Sequence, residues 1–159
     1  MIINSSAQGV QIALLEDKKL VELHNEKADA SFNVGDLYLG RVKKLIPGLN
    51  AAFVDVGFEK DAFLHYTDLS PFAKSLLKFT QLSINSPATS QPDFSNFTVE
   101  AEIVKTGKIN EVLGQKPNVL VQILKEPIAA KGPRLSCEIS LPGRFVVITP
   151  FNDIIAVSR

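Results

Sequence analysis

The side chains best equipped for chemistry crowd into one stretch, NAAFVDVGFEKDAFLH, from Asn50 to His65. It carries three carboxylates (Asp55, Glu59, Asp61), an imidazole (His65) and two benzyl rings (Phe53, Phe63). Carboxylates this close together raise the question of a hard cation, but Lys60 interleaves them and they fit no metal-ligand motif, so no metal site is expected. The rings raise a different question. If AAFVDV is a strand, Ala52, Val54 and Val56 share one face and Phe53 falls on the other, beside Asp55. In DAFLHY the same alternation puts Ala62 and Leu64 on one side and Phe63, with Asp61 and His65, on the other. Rings on the polar face of neighbouring strands suit the stacking of unpaired bases, worth roughly 1–3 kcal/mol per base. Phosphates then need cations. Arg41 and Lys43 point outward if Gly40 and Val42 point inward, and Lys131 and Arg134 sit in a turn further on. The alternative is structural: another part of the chain covers the rings, and Lys131-Gly132-Pro133-Arg134 is an ordinary solvated turn.

The elements that must position these residues are mostly strands. GDLYLGRVKKLI, AAFVDV and DAFLHY are three β-rich runs separated by the turn-like PGLN and GFEK, an antiparallel meander. Gly40 lies inside the first run, where it marks a bulge or the strong coiling that closes a small barrel. NVLVQILKEP is a fourth strand with Val119, Val121 and Ile123 on one face, and AAKGPRLSCEISL turns into a fifth. Between them, residues 70–113 form an interruption. PFAKSLLKF suits a short helix begun by Ser70-Pro71, SINSPATSQPDFSN reads as a mobile loop, and FTVEAEIVKTGKINEVL is either a helix or a strand and a helix. Five strands with such a connection after the third describe an OB-fold barrel, whose second and third strands form the ligand face. The fold expected is therefore mainly β: a five-stranded OB-fold barrel flanked by two hairpins. The first is IINSS, VQIALLE and LVELH around an EDKK turn, and the second is RFVVITPFNDIIAVSR with PFND at its tip.

Composition sets bounds on function. The 159 residues are 45% hydrophobic and 21% charged, with zero net charge, so any positive surface must be local. The acidic residues near the start (Glu16, Asp17, Glu22, Glu26, Asp29), partly offset by Lys18, Lys19 and Lys27, read as a solvated face. His24 is isolated. Cys137 is the only cysteine, which excludes an intrachain disulfide and a thiolate zinc cluster. No secretory signal is visible, and no apolar run approaches the roughly 20 residues of a membrane span. A cytoplasmic setting is the expectation. No GxSxG, HExxH, Walker or CxxC motif occurs, so no catalytic residue is expected in this chain.

Two longer blocks carry a resemblance. GRVKKLIPGLNAAFVDVGFEKDAFLHYTDL resembles the S1-type RNA-binding domain of the ribonuclease E and ribonuclease G family, with DAFLHYTDL looking closer to ribonuclease G. VLVQILKEPIAAKGPRLSCEISLPGRFVVITP is similar to the end of that barrel, and MIINSS with IALLEDKKLVEL is similar to the family's start. The resemblance implies residues 1–33 as the first strands of an incomplete RNase H-like domain. It implies 34–137 as the S1-type barrel with an insertion at about 70–113, and 138–159 as the start of a 5′-sensor region. It implies Phe53, Phe63 and Lys131 as RNA contacts, with Arg41, Lys43, His65 and Arg134 as further candidates. Ala62 departs from many S1 domains, where glycine often precedes the aromatic, yet alanine still permits a β conformation. For the full-length protein it implies a homo-oligomeric endoribonuclease acting on single-stranded RNA in RNA processing and decay. Its magnesium-binding aspartates and structural zinc link would lie beyond Arg159, so the chain would be an excised or truncated piece. A stand-alone RNA-binding module without nuclease activity, or a protein-interaction barrel, would share the same pattern.

Overall fold

Alternating apolar residues produce strands at nearly every position where the sequence alternates. The computed structural model describes residues 1–27, 32–87 and 93–157. Asp29, the side chains of Glu26 and Lys27, and the centre of the Ser/Pro-rich stretch (88–92) lie outside the described residues. The chain divides into two compact units, Met1–Asn33 and Val34–Arg159.

The first unit is an antiparallel sheet of β1 (Ile2–Ser6), β2 (Gly9–Glu16) and β3 (Lys19–Lys27), in that order. Asp17 and Lys18 both have positive φ, 48° and 66°, the left-handed pair of a tight hairpin turn whose twist matches the strands it joins. His24 is bound locally, its Nε2 lying 3.0 Å from Glu22 Oε2.

The second unit is a closed five-stranded barrel: β4 (Leu37–Ile46), β5 (Ala51–Asp55), β6 (Ala62–His65), β7 (Asn118–Lys125) and β8 (Arg134–Ser136), in the order β4-β5-β6-β8-β7. This is the OB-fold expected from the sequence, with β6 and β8 parallel and the other neighbours antiparallel. Closure rests on β4, whose first half pairs with β7 (Leu37↔Gln122 to Arg41↔Asn118) and whose second half pairs with β5 (Arg41↔Asp55 to Ile46↔Ala51). Gly40 sits just before this handover. A Cβ there would stand 2.5 Å from Val54 Cγ1 and 3.3 Å from Val56 Cγ1, so glycine lets the strand coil tightly over the core. The bulge itself lies further along, between Val42 and Lys44, and leaves Lys43 unpaired. The interior is filled by the expected alternation: Ala52, Val54, Ala62, Leu64, Val121 and Leu135 are 0% exposed.

The insertion differs from expectation. Helix α1 spans Ala73–Asn85, longer than the sequence pattern suggested, and packs on β7. Ser70 opens it by accepting the Phe72 N–H on its hydroxyl (3.1 Å) and the Ala73 N–H on its carbonyl (2.9 Å). Residues 97–108 form neither helix nor strand. Their polar groups find distant partners instead. The Glu100 N–H donates to Ser75 Oγ (2.8 Å), the Tyr66 hydroxyl to the Val104 carbonyl (2.5 Å) and Asn50 Nδ2 to the Gly107 carbonyl (3.0 Å). Asn50 Oδ1 then accepts the Ile109 N–H (2.7 Å) at the start of α2 (Ile109–Leu113), whose Ile109 and Leu113 are fully buried. Asn50 does this from a left-handed conformation (φ 48°), which asparagine tolerates better than most residues.

The last hairpin also moves. Strands β9 (Leu141–Pro142) and β10 (Val147–Ile148) pair around a turn closed by Gly143 N–H to the Val146 carbonyl (2.8 Å). The tip is therefore Gly143-Arg144-Phe145-Val146, and PFND lies after the hairpin. Its Phe151 stacks on Phe97 at 5.7 Å and meets Phe79 edge-on at 6.2 Å, while Phe94 stacks on Phe79 at 5.0 Å. Four rings thus join α1, the insertion and the tail. Cys137 is buried, and burial, with the nearby Asp68 charge, pushes its thiol up to about 12.

Gly40→Ala should overpack this closure. The expected loss is about 1–3 kcal/mol, read as a lower urea midpoint with an unchanged slope. An unaltered midpoint would show that the core yields freely at this point.

Candidate nucleic-acid interface

Cross-strand register brings the two rings together. Phe53 and Phe63 are directly paired across β5 and β6. Their centroids lie 6.1 Å apart with planes inclined at 68°, an edge-to-face contact that leaves part of each ring open. Both are half-buried, flanked in sequence by the sealed Ala52, Val54, Ala62 and Leu64. His65, two residues along the same face, continues the row at 6.4 Å from Phe63 and 28° from parallel. Its Nδ1 accepts the Thr67 N–H (3.2 Å), which fixes the ring's orientation.

The β7–β8 connection forms the opposite wall. Ile128 and Lys131 exchange backbone hydrogen bonds of 3.3 and 3.0 Å, making a tight turn. Gly132 then lies so near the start of β6 that a Cβ would stand 2.3 Å from the Asp61 carbonyl oxygen. The next link is the Phe63 N–H donating to the Pro133 carbonyl (2.9 Å). Lys131 is thereby carried to the rim beside Phe63. The result is an open cleft of about 780 Å³, lined by Phe53, Phe63, Lys60, Asp61, Lys125, Lys131 and Arg134.

The cations anticipated from the sequence occupy different positions. Lys131 is exposed at the rim. Arg134 lines the cleft but binds Asp68 in a fork, Nε to Oδ2 at 2.9 Å and Nη2 to Oδ1 at 3.1 Å, and this carboxylate raises its pKa further. Lys43, displaced by the bulge, bridges Asp55 (3.1 Å) and Asp61 (3.0 Å). Hydrogen bonds to Asp61 and then Asp55 raise its pKa. Arg41 lies opposite Asp55 on β4, outside the cleft lining. The carboxylates that invited thoughts of a metal thus hold an ammonium, and Glu59 stands apart in solvent. Among the described residues no three His, Cys, Asp or Glu side chains cluster to hold an ion. The donor set for the magnesium or zinc implied by the family resemblance is therefore not found in them.

Two lining cations went unforeseen. Lys60 stands in the β5–β6 turn, where a lysine reads as solvated punctuation. Lys125 follows Val119, Val121 and Ile123, so strict alternation turns it inward, but a register shift between Ile123 and Lys125 re-aims it, and it pairs with Arg134. No signal in the sequence marks that shift. Among the described residues no helix is long and apolar enough to cross a membrane.

No family model matches the chain. Curated proteins do. Ribonuclease G of Escherichia coli (strain K12) is 31% identical over 159 residues, all of this chain and 28% of that protein. Ribonuclease E of Nostoc sp. is 34% identical over 157 residues, 94% of this chain and 19% of the relative. A ribonuclease E/G-like protein of Porphyra purpurea is 37% identical over 133 residues, 83% of this chain and 20% of the relative. The chain spans less than a third of the length of these curated relatives.

Two outcomes follow from this geometry. Phe63→Ala and Phe53→Ala should each cost less stability than Leu64→Ala, for which a buried truncation predicts about 2–5 kcal/mol; equal losses in denaturant melts would place the rings in the core. The Asp55 carboxyl is held below its ordinary value by the Gly57 N–H (3.0 Å to Oδ1) and then by Lys43. Because the folded value is the lower one, the stabilisation is complete above the ordinary carboxylate value and fades as pH falls through the folded value. A carboxyl-detected NMR titration should place the Asp55 midpoint below that of aspartate in an unstructured peptide, and a midpoint at or above it would contradict the pairing.

Proposed function

The chain belongs to the ribonuclease E/G family, and from that membership and the cleft we propose that it is an S1-type module holding single-stranded RNA for a larger endoribonuclease. The observation that carries this reading is the pair of half-open rings in direct cross-strand register, bordered by lysines. A base laid on Phe63 or Phe53 gains stacking that any base can supply, roughly 1–3 kcal/mol each. Lys131, Lys60 and Lys125 stand where they can meet the phosphates of the same strand, a contact that positions without reading sequence. His65 extends the platform for a neighbouring base. Arg134, already committed to Asp68, contributes its guanidinium plane and field more than a free donor fork.

In the whole protein the barrel's task would be to pin RNA so that the scissile phosphodiester rests at a site elsewhere, a positioning effect. There, magnesium would supply activation of water. This chain's own residues bind and orient. The RNase H-like and sensor assignments of residues 1–33 and 138–159, homo-oligomerisation and a role in cytoplasmic RNA processing and decay belong to the same proposal.

Fluorescence titration with a short single-stranded RNA tests it. Three lysine–phosphate contacts predict a slope of about −2 in log affinity against log salt, at about −0.7 per contact. Phe53→Ala and Phe63→Ala should each weaken binding about 5- to 100-fold, and Lys131→Ala should make the slope shallower by about 0.7. Binding indifferent to all three substitutions would move the RNA, or a protein partner, to another surface.

A further inference from the structure

The two rings belong to a longer row. Lys44 on β4 lies directly opposite Phe53, Phe53 opposite Phe63, Phe63 opposite Arg134, and Arg134 opposite Lys125, so one line of residues in register crosses all five strands. Residues paired in this way share a face of the sheet, with Cβ atoms about 4.5–5.5 Å apart in antiparallel pairs. Both slips of the ladder bring a lysine into the row. Val42 faces Val54, so unbroken pairing would set Lys43 against Phe53, and the bulge sets Lys44 there instead. Ile123 faces Leu135, and the second slip sets Lys125, not Leu124, against Arg134.

The rings thus have basic side chains on both flanks. On the β8 flank, Arg134 and Lys125 line the cleft already described. On the β4 flank stands Lys44, exposed and outside that lining. The nearby carboxylates are occupied: Asp55 by Lys43 (3.1 Å) and the Gly57 N–H (3.0 Å), and Asp61 by Lys43 (3.0 Å). Among the ion pairs of the described residues, none includes Lys44. We infer that Lys44 is a further phosphate contact for RNA held on Phe53, on the flank of the rings away from the cleft, an inference that rests on the RNA-binding reading above. Its ammonium is a compact point charge with three donors and no acceptor, suited to phosphate oxygens. Adjacent strands lie about 4.7–4.9 Å apart, so Lys44 starts one strand's width from the ring that holds the base. The bulge divides the labour of two neighbouring lysines: Lys43 ties carboxylates together, and Lys44 faces the ligand side.

The test is anisotropy titration of the 159-residue chain with an oligouridine of about ten nucleotides, within the span of one OB-fold, over a series of salt concentrations. Lys44→Ala should weaken binding and make the slope of log affinity against log salt shallower by about 0.7, the share of one phosphate contact. Lys44→Arg, which keeps the charge, should retain the native slope. Lys74→Ala removes the same charge from helix α1, outside the row, and should also leave the slope native. A native slope in Lys44→Ala, with Phe63→Ala still weakening binding, would overturn the inference and leave the RNA-binding reading standing. Equal flattening by Lys44→Ala and Lys74→Ala would also overturn it, reducing the effect to net charge. Failure of the native chain to bind the oligonucleotide would overturn the RNA-binding reading and this inference with it.

Discussion

The barrel closes along β6 and β8 with very little regular pairing. One residue pair, Phe63 and Arg134, is in parallel register, and the Phe63 N–H reaches the Pro133 carbonyl at 2.9 Å. What makes so narrow a seam hold is Asp68, just past β6. Its carboxylate takes the Arg134 fork, and its carbonyl accepts the Cys137 N–H at 2.8 Å and the Ser136 hydroxyl at 3.2 Å. A bidentate, partly shielded pair of this kind is stronger than an ordinary surface ion pair. Everything at the cleft depends on it: were the seam to part, Lys131 would leave Phe63 and the two walls would cease to face each other.

Charge is organised locally. The chain is neutral as a whole, yet the cleft lining combines Lys60, Lys125, Lys131 and Arg134 with a single carboxylate, Asp61. Lys43 and Arg134, two of the further candidates from the sequence, are matched to Asp55, Asp61 and Asp68. They build the frame, and the unmatched lysines give it its sign. Net charge is a poor guide to a surface assembled this way, because the cleft lysines are cancelled in the sum by carboxylates elsewhere in the chain.

Much of the barrel was legible because it obeys one rule. Period-two alternation placed Ala52, Val54, Leu64 and Val121 inside and left Phe53 and Phe63 on the other face, and the turn signals between runs gave five strands in the right order. The rule fails wherever the ladder slips. The bulge after Val42 turns Lys43 towards Asp55 and Asp61, and the slip after Ile123 turns Lys125 into the cleft. It is equally silent on partners far apart in sequence. Arg134 and Asp68 are 66 residues apart, and Asn50 and Ile109 are 59 apart. The run 97–108 has the composition of a regular element, but Asn50, Tyr66 and Ser75 supply its hydrogen bonds.

The sealed sulfur of Cys137 has a consequence for the chain as a chemical object. With its thiol pushed up to about 12 and no other cysteine present, almost no thiolate exists at neutral pH while the barrel is shut. Thiol-directed reagents find no reactive sulfur, and a sulfhydryl reaction marks only those molecules that have come open.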